Sequence, residues 1–185
     1  MTTRPLIRPL ASLLVLAGVL GACSGASGSG LGVANGSDVI TFSTGHRKAA
    51  PPFSGTTLRG GQQISSTVLS GKVGVVNFWG SWCGPCLREQ PSLEALSKEY
   101  ASRPVQFLGI NTRRDQKAQA LAFVDQFDVT YPSVFNPDSS IAFSFRVRFM
   151  PATFVIDRQG RIAAEFVGAI ASAGQLRALI DAELT

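Results

Sequence analysis

Two cysteines lie three positions apart near the middle of the chain, in the run Cys83-Gly84-Pro85-Cys86. The two intervening residues let the sulfur atoms come within bonding distance inside one helical turn, so the pair can alternate between dithiol and disulfide. Because a thiolate is the form that attacks a disulfide, the pair predicts thiol–disulfide exchange. We expect Cys83 to attack the substrate and Cys86, deeper in the helix, to resolve the mixed disulfide.

The sequence supports other uses of this pair less well. A structural zinc site needs two more ligands at suitable spacing, and the sequence supplies none. Covalently bound haem needs a histidine after the second cysteine, where Leu87 stands instead. An inert structural disulfide is the remaining alternative, but closing so short a loop stabilises a protein little. We therefore expect no metal, and no cofactor beyond the redox-active disulfide.

The elements that must position the cysteines can be predicted from the residues around them. Val73–Trp79 is a nearly continuous apolar run, which is typical of a short strand buried on both faces. A helical stretch follows the cysteine motif and continues to about Tyr100. Cys83 therefore lies where a strand ends and a helix begins, and there the free backbone N–H groups and the helix dipole stabilise a thiolate. Gly84 and Pro85 suit the first helical turn, since proline has no N–H to lose and its φ is already helical.

The rest of the chain alternates strands and helices. The predicted elements are a strand at Val105–Asn111, an amphipathic helix with Ala120, Phe123, Val124 and Phe127 on one face, a short helix near Ser139–Phe145, strands at Thr153–Asp157 and Arg161–Val167, and a last helix that begins at Ser172 and buries Leu176, Leu179 and Ile180. Gln175 completes a capping-box pattern at the start of that last helix. This order of elements indicates an α/β fold with a mixed sheet.

The N-terminus has the pattern of an export signal. Two arginines precede the apolar stretch Ala11–Ala22, which is shorter than the roughly 20 apolar residues that span a bilayer. Residues 1–22 are therefore predicted to form a signal peptide. The run Leu20-Gly21-Ala22-Cys23 resembles a bacterial lipobox, which implies cleavage before Cys23 and a diacylglycerol anchor on its thiol. A plain secretory signal and an uncleaved anchor are the alternatives.

A linker is predicted between the anchor and the folded domain. Ser24–Ser37 consists mostly of glycine, serine and alanine without apolar periodicity, which is typical of a flexible tether. We expect residues 23–52 to form the lipidated cysteine and this tether, and residues 53–185 to form one domain. His46 is the single histidine and falls in the predicted tether, so we expect it to take no part in the chemistry.

The charge balance argues against nucleic-acid binding. The chain has 17 basic and 12 acidic residues, for a net charge of +5. Without residues 1–22 the net charge is +3, and the remaining basic residues form no long run. The densest basic point is Arg113–Arg114, which a solvated loop explains.

The residues around the cysteines carry a family resemblance. The run Val76–Cys86, VNFWGSWCGPC, is similar to the active-site strand and turn of thioredoxins, and most of all to the TlpA/ResA-like family of membrane-anchored thiol–disulfide oxidoreductases. Further similar segments are Gly71-Lys72, Tyr131-Pro132 and Met150-Pro151-Ala152-Thr153-Phe154, followed by Asp157 and Gly160. The resemblance runs from about Phe53 to the C-terminus. It implies a thioredoxin fold, in which helices flank a central mixed β-sheet, with TlpA/ResA-type additional N-terminal strands and a central insertion.

The resemblance also implies which residues complete the site. Pro151 matches the family's cis-proline, which faces the cysteine pair; an ordinary strand-initiating proline is the alternative. Met150 and Pro151 would then keep metals from the sulfurs and present backbone to an extended substrate. We expect Trp82, beside the first cysteine, to be an exposed substrate platform, and Trp79 to belong to the core.

Glu89 is the predicted acid/base. Asn77 stands where cytosolic thioredoxins have a buried aspartate, and an amide cannot exchange a titrating proton. Anchored relatives use a glutamate three residues beyond the second cysteine, which in this chain is Glu89. Its spacing from Cys86 puts the two on neighbouring helical positions, so we expect a buried carboxyl with a raised pKa that helps to deprotonate Cys86. A solvated glutamate is the alternative.

The expected function is disulfide exchange on proteins at the extracytoplasmic face of a bacterial membrane. The Gly-Pro pair between the cysteines and the family resemblance favour a reductase that keeps apocytochrome c or copper-site thiols reduced. A separate membrane protein would exchange electrons with it, and we expect a monomer. An oxidase or isomerase for secreted proteins is the alternative. A copper chaperone is less well supported because no histidine follows His46, and nothing resembles the Thr-x-x-Cys site of peroxidases.

Overall fold

The computed structural model describes residues 1, 33–34 and 39–185. The predicted signal peptide beyond Met1, the lipidation site Cys23 and residues 24–32 and 35–38 of the predicted tether lie outside the described residues. Within the described part of the chain, no helix is long and apolar enough to cross a bilayer.

A mixed sheet of seven strands forms the centre of the fold. Its strands are β1 (Val33–Ala34), β2 (Val39–Thr41), β5 (Val73–Trp79), β6 (Val105–Thr112), β7 (Ser133–Asn136), β8 (Ala152–Ile156) and β9 (Ile162–Val167), and β3 (Ser54–Thr56) pairs separately with β4 (Gln63–Ser65). The spatial order is β1-β2-β9-β8-β5-β6-β7. Strand β5 runs parallel to β6 and antiparallel to β8, so the strand that leads to the cysteines lies inside the sheet.

Helices cover both faces of this sheet. They are α1 (Gly84–Glu99), α2 (Lys117–Gln126), α3 (Ser140–Ser144) and α4 (Ala173–Ala182). Val75 and Trp79 of β5 belong to the core that includes α1, α2 and α4. Val76 and Phe78 alternate with them and belong to the core on the other face, which includes Ile141 of α3. Every residue of β5 is buried, as the continuous apolar run predicts.

The predicted elements of the body are present, with small shifts at their ends. Leu93, Leu96 and Tyr100, predicted on one helical face, are 1–2% exposed. Phe127 follows α2 but still packs on Phe123, with ring centroids 4.9 Å apart. Ser172 is the N-cap of α4, although its side chain makes no capping hydrogen bond. Thus apolar periodicity located the helices, while the Ser172 side chain does not make the hydrogen bond of a capping box.

The boundary predicted at Phe53 needs correction, because ordered structure begins earlier. Strand β2 pairs with β9 through Val39↔Phe166, and residues up to 50 continue along the domain, where Ala50 N–H donates to Gly160 O at 2.9 Å. Arg47 forms ion pairs with Asp157 and Glu183. The boundary was placed too late because a strand of three residues is too short to show a hydrophobic pattern. The ion pairs of Arg47 join residues far apart in the chain and so leave no pattern in the neighbouring sequence.

The region before β5 agrees with the additional N-terminal strands that the resemblance implies, since β1–β4 all precede it. Strand β7 and helix α3 lie between α2 and β8, in the centre of the domain, where a central insertion is expected. The architecture is therefore the predicted one, with a domain that begins earlier than predicted.

Candidate active site

Cys83 and Cys86 form a disulfide, with their Cα atoms 5.2 Å apart. Cys83 is the N-cap of α1, and the backbone N–H of Cys86 donates to its Sγ at 3.2 Å. An N-cap side chain normally accepts such a bond through oxygen; here sulfur takes that position. The helix N-terminus therefore provides a hydrogen bond and a positive dipole end that would stabilise a Cys83 thiolate.

The two cysteines are not equally placed. Both are buried, at 3% and 1% exposed, but Cys83 precedes α1 as its N-cap whereas Cys86 is the third residue of the helix. Pro85 lies in the first turn of α1, and Gly84 is its first residue, as the sequence predicts. A substrate disulfide must therefore approach at the Cys83 end of the pair, where the loop from β5 meets the helix.

The Met150–Pro151 peptide bond is cis, as the resemblance implies. The antiparallel register pairs Phe78 with Ala152, so Pro151 lies beside the end of β5, next to the loop that carries the cysteines. The carbonyl of Pro151 accepts a hydrogen bond from Gly168 N at 3.0 Å. Met150 makes no backbone hydrogen bond to any described residue, so the backbone available to a substrate is that of Met150 rather than Pro151.

Glu89 lies inside the protein, 4% exposed, on the face of α1 that packs against the sheet. Its Oε1 accepts a hydrogen bond from Asn77 Nδ2 and its Oε2 accepts one from Ile170 N, both at 2.9 Å. Burial raises the pKa of Glu89 to about 7, and these two hydrogen bonds oppose the rise. The carboxyl can therefore gain or lose a proton near neutral pH, whereas the amide of Asn77 cannot.

The structure groups Glu89 with Asn77, which also donates to Thr153 Oγ1 at 2.9 Å. Neither cysteine is among the hydrogen-bond partners of Glu89 in the described residues. Its link to Cys86 is the i, i+3 spacing on α1, which makes the two residues neighbours on the helix. A proton passing between them would need a bridging water or a small side-chain movement.

The two tryptophans near the motif have different environments. Trp79 is 2% exposed and stacks on Phe123, with centroids 4.4 Å apart. Trp82 is 54% exposed, and its indole lies so close to Gly80 that a Cβ there would come within 2.9 Å of it. Trp82 can therefore contact a substrate beside Cys83, while Trp79 belongs to the core, as expected.

Asp115 is a residue of the site that the sequence analysis missed. It is buried, and its carboxylate accepts hydrogen bonds from Ser81 N, Ser81 Oγ and Asn111 Nδ2, each at 2.6 Å. It also accepts one from Gln116 N at 2.9 Å. Asp115 thus fixes the loop two residues before Cys83. The available signal was a run of polar residues directly after β6, which is parallel to β5 and so ends at the same edge of the sheet.

The donor set offers little to a metal. Within the described residues, no three His, Cys, Asp or Glu side chains are grouped as metal ligands. The pair of sulfurs, the buried carboxyl and the cis-proline loop form a site for disulfide exchange.

Comparisons with known proteins agree with this chemistry. A family model described as Redoxin matches residues 46–179. The thioredoxin-like protein YneN of Bacillus subtilis is 35% identical over 120 residues, which cover 64% of this chain and 69% of that protein. The thiol-disulfide oxidoreductase ResA of Bacillus cereus is 31% identical over 121 residues, which cover 65% and 69% of the two chains.

A solved structure shows the same fold. The crystal structure of a secreted thiol-disulfide isomerase from Corynebacterium glutamicum matches with a TM-score of 0.71 at 30% identity. The match covers 80% of this chain and 94% of that one. The central sheet, the helix that begins at the cysteine motif and the hairpin after the cis-proline together form a thioredoxin fold.

Proposed function

The chain belongs to the Redoxin family and is a thioredoxin-fold thiol–disulfide oxidoreductase, and from this premise we propose that it reduces disulfides of proteins outside the bacterial cytoplasm. The observation that carries the proposal is the position of Cys83 as N-cap of α1, with its sulfur accepting the Cys86 N–H. That position favours the thiolate needed for attack.

The exchange has two steps. The Cys83 thiolate attacks one sulfur of a client disulfide, which forms a mixed disulfide and releases one client thiolate. The Cys86 thiolate then attacks Cys83 Sγ, which forms the Cys83–Cys86 disulfide and releases the second client thiolate. Two electrons pass to the client, whose two thiolates take up the protons that the enzyme thiols gave up.

Glu89 has the role of acid/base in the second step. Cys86 is 1% exposed, and burial in apolar surroundings raises a thiol's pKa, so its deprotonation needs a nearby acceptor. Glu89 is the buried group with a pKa of about 7 on the neighbouring helical position. This role is supported by the raised pKa of Glu89 and by its position on α1, three residues after Cys86.

The reducing direction is supported by the Gly84-Pro85 pair and by the similarity to ResA. Suitable clients are proteins whose thiols must stay reduced, such as apocytochrome c before haem attachment or a copper site before metal insertion. A separate membrane protein then returns electrons to Cys83 and Cys86. The similarity to a secreted thiol-disulfide isomerase favours an alternative function, in which this chain rearranges disulfides in exported proteins.

The place of action follows from the N-terminal pattern. Residues 1–22 direct export, and Cys23 carries the lipid that holds the domain at the extracytoplasmic membrane face. Two acyl chains are enough for stable anchoring. Support for this part is the sequence pattern alone, and labelling cells with a radioactive or clickable fatty acid tests it: Cys23→Ala should abolish labelling, and persistent labelling would contradict the anchor.

A trapping experiment tests the exchange reaction. We expect a reduced Cys86→Ser variant of the full-length chain to form a covalent adduct with a disulfide-bonded protein such as insulin, through Cys83. The Cys83→Ser variant should form none under the same conditions. Adducts of equal yield in both variants, or in neither, would contradict the assigned roles.

A further inference from the structure

Three loops meet at the edge of the sheet that holds the cysteines. Ser81 donates to Asp115 from both N and Oγ, which joins the loop before Cys83 to the loop after β6. Arg113 Nη2 donates to the carbonyls of Val147 and Arg148, at 3.1 and 3.0 Å, which joins the loop after β6 to the cis-proline loop. The junction thus lies between Cys83 and the cis-proline loop, where a client chain can lie.

The exposed charge at the junction is positive. Arg113, Arg114 and Arg148 are exposed, and none takes part in an ion pair with another described residue. Asp115 is the carboxylate within these loops, and it is buried under four hydrogen bonds. The exposed carboxylate of Asp138 is nearby, since Arg113 N donates to Ser139 Oγ and Arg114 N donates to Pro137 O. An approaching client therefore meets more guanidinium groups than carboxylates.

The backbone holds two of these arginines in an unfavourable conformation. Arg113 and Arg114 have φ values of 60° and 58°, in the left-handed region that is unfavourable for a residue with a Cβ. Glycine would avoid that cost. Such conformations persist where the surroundings impose them and occur often at functional sites. Here Arg113 contacts Ser139 through its backbone and the cis-proline loop through its side chain, and Arg114 beside it is exposed.

Two exposed aromatic side chains belong to these loops. Trp82 is 54% exposed next to Cys83, and Phe149 is 66% exposed next to the cis peptide bond. Between these loops the backbone of Met150 has no hydrogen-bond partner among the described residues. An extended peptide could pair with that backbone and pack on the aromatic rings, as in strand addition to an exposed edge.

We propose that the clients of this protein are recognised by acidic residues next to their reactive cysteine, which pair with Arg114 and Arg148 while the client chain lies extended over Met150. The proposal rests on the proposed disulfide exchange and names the class of client: an acidic protein segment. Arg113 holds the two loops together, and its charge adds to the attraction. Arginine suits this recognition because its planar group can bind a carboxylate through two hydrogen bonds.

An anionic membrane surface is a different partner for the same arginines. The position of the arginines favours a protein client, since the three loops converge on Cys83 and Pro151, where exchange requires the client backbone. A surface that bound lipid headgroups would bury the cysteines against the bilayer and block that access.

Charged model substrates test the proposal. Three peptides of the same length each carry one cysteine in a mixed disulfide with 5-thio-2-nitrobenzoate, flanked by aspartate, asparagine or lysine. Release of the coloured thiol by the reduced full-length chain in detergent gives the rate constants. We expect the acidic peptide to react about tenfold faster than the neutral one at low salt, as for steered association. In about 0.5 M NaCl this ratio should fall towards one because the charges are screened.

Substitutions locate the effect. In Arg114→Ser and Arg148→Ser the acidic-to-neutral rate ratio should fall. In the double variant Arg114→Glu, Arg148→Glu the lysine peptide should react faster than the acidic peptide. Arg158→Ser is the matched control, because Arg158 is exposed but lies at the opposite end of β8, where it donates to Gly71 O. The acidic-to-neutral rate ratio of this variant should match that of the unchanged chain.

The outcomes distinguish a failure of acidic recognition from a failure of disulfide exchange. Equal rates for all three peptides would overturn acidic recognition and leave the exchange reaction intact. No release from any peptide would overturn the proposed function itself. If the substitutions leave the peptide ratio unchanged but weaken sedimentation with vesicles of anionic phospholipid, the arginines bind membrane and the proposal is wrong.

Discussion

Oε1 of Glu89 and Nδ2 of Asn77 lie 2.9 Å apart and form a hydrogen bond between helix α1 and strand β5. The bond joins the helix that carries Cys86 to the strand that leads to the cysteine motif. Oδ1 of the same Asn77 is buried without a partner among the described residues. If the Asn77 side-chain amide rotated by 180°, a protonated Glu89 could donate to this oxygen. The pair can therefore form a hydrogen bond whether Glu89 is ionised or protonated.

Replacing Glu89 by glutamine should change the pH dependence of exchange. Because the pKa of Glu89 is about 7, the unchanged chain should resolve its mixed disulfide faster as pH rises from 6 to 8. Glu89→Gln should be slower and lack this inflection. Stopped-flow kinetics with a Cys83-linked peptide disulfide measures the step.

Glu165→Gln is the control for that experiment. Burial also raises the pKa of Glu165, but this residue lies on β9, paired with Ile40 at the far side of the sheet from α1. Its profile should match that of the unchanged chain. Identical profiles for all three proteins would remove Glu89 from the mechanism.

Glu89 should also make stability depend on pH. Its folded pKa of about 7 lies above the ordinary value of 4.5, so the folded state holds this proton more tightly than the unfolded state. The stability from the protonated form is fully present below pH 4.5 and is lost as pH rises through 7. The loss is on the order of 3 kcal/mol, at 1.36 kcal/mol per pKa unit.

Urea unfolding of the oxidised protein at pH 5 and pH 8 checks this. The unchanged chain should lose stability between pH 5 and pH 8, whereas Glu89→Gln should not show this loss. The difference in free energy of unfolding, Glu89→Gln minus the unchanged chain, should therefore be larger at pH 8 than at pH 5. A constant difference between the two proteins across this range would mean that Glu89 titrates normally.

Removing the Asp115 carboxylate should loosen the loop that carries Cys83. Asp115→Ala leaves the N–H of Ser81 without its acceptor, and an unsatisfied buried donor costs about 1–3 kcal/mol. Exchange should slow because Cys83 is less well fixed, and the emission of Trp82 should shift. Ser81→Ala removes the hydroxyl bond but keeps the backbone bond, so its effects should be smaller. Equal behaviour of both variants would show that the backbone bond is unimportant.

Arg47→Ala tests the early start of the domain. Arg47 pairs with Asp157 and Glu183, and its side chain is 12% exposed. Breaking such a largely buried pair should lower the free energy of unfolding by about 3 kcal/mol and expose residues near 47 to limited proteolysis. Arg47→Lys should restore part of the loss, since one charge remains but the two-pronged contact with Glu183 does not. Unchanged stability in Arg47→Ala would favour a tether that extends to Pro52.

The cysteine site could be predicted because its signals are local. A buried strand, a C-x-x-C motif and a helix follow one another within Val73–Tyr100, and each has its own pattern of residues. The hydrophobic periodicity of β6, α2 and α4 was sufficient for the same reason. The mixed sheet then followed from the order of the elements.

The contacts that sequence reasoning missed join residues distant in the chain. Asp115 reaches Ser81 across 34 positions, and Arg47 reaches Glu183 across 136. The residues next to Asp115 and Arg47 in sequence carry no pattern that identifies these partners, because the pairing depends on which strands become neighbours in the sheet. The hydrogen bond from Gly168 N to the carbonyl of Pro151 could not be predicted for the same reason. Nor could the lack of a backbone hydrogen bond at Met150 to any described residue.

The reduction potential of the Cys83–Cys86 disulfide in the full-length chain tests the central claim most directly. Equilibration with a thiol redox buffer, followed by alkylation of free thiols, gives the value. A reductase of protein disulfides should have a potential near that of thioredoxin, about −270 mV. A potential near that of the strong oxidant DsbA, about −120 mV, would contradict the reducing direction and make this protein a donor of disulfides.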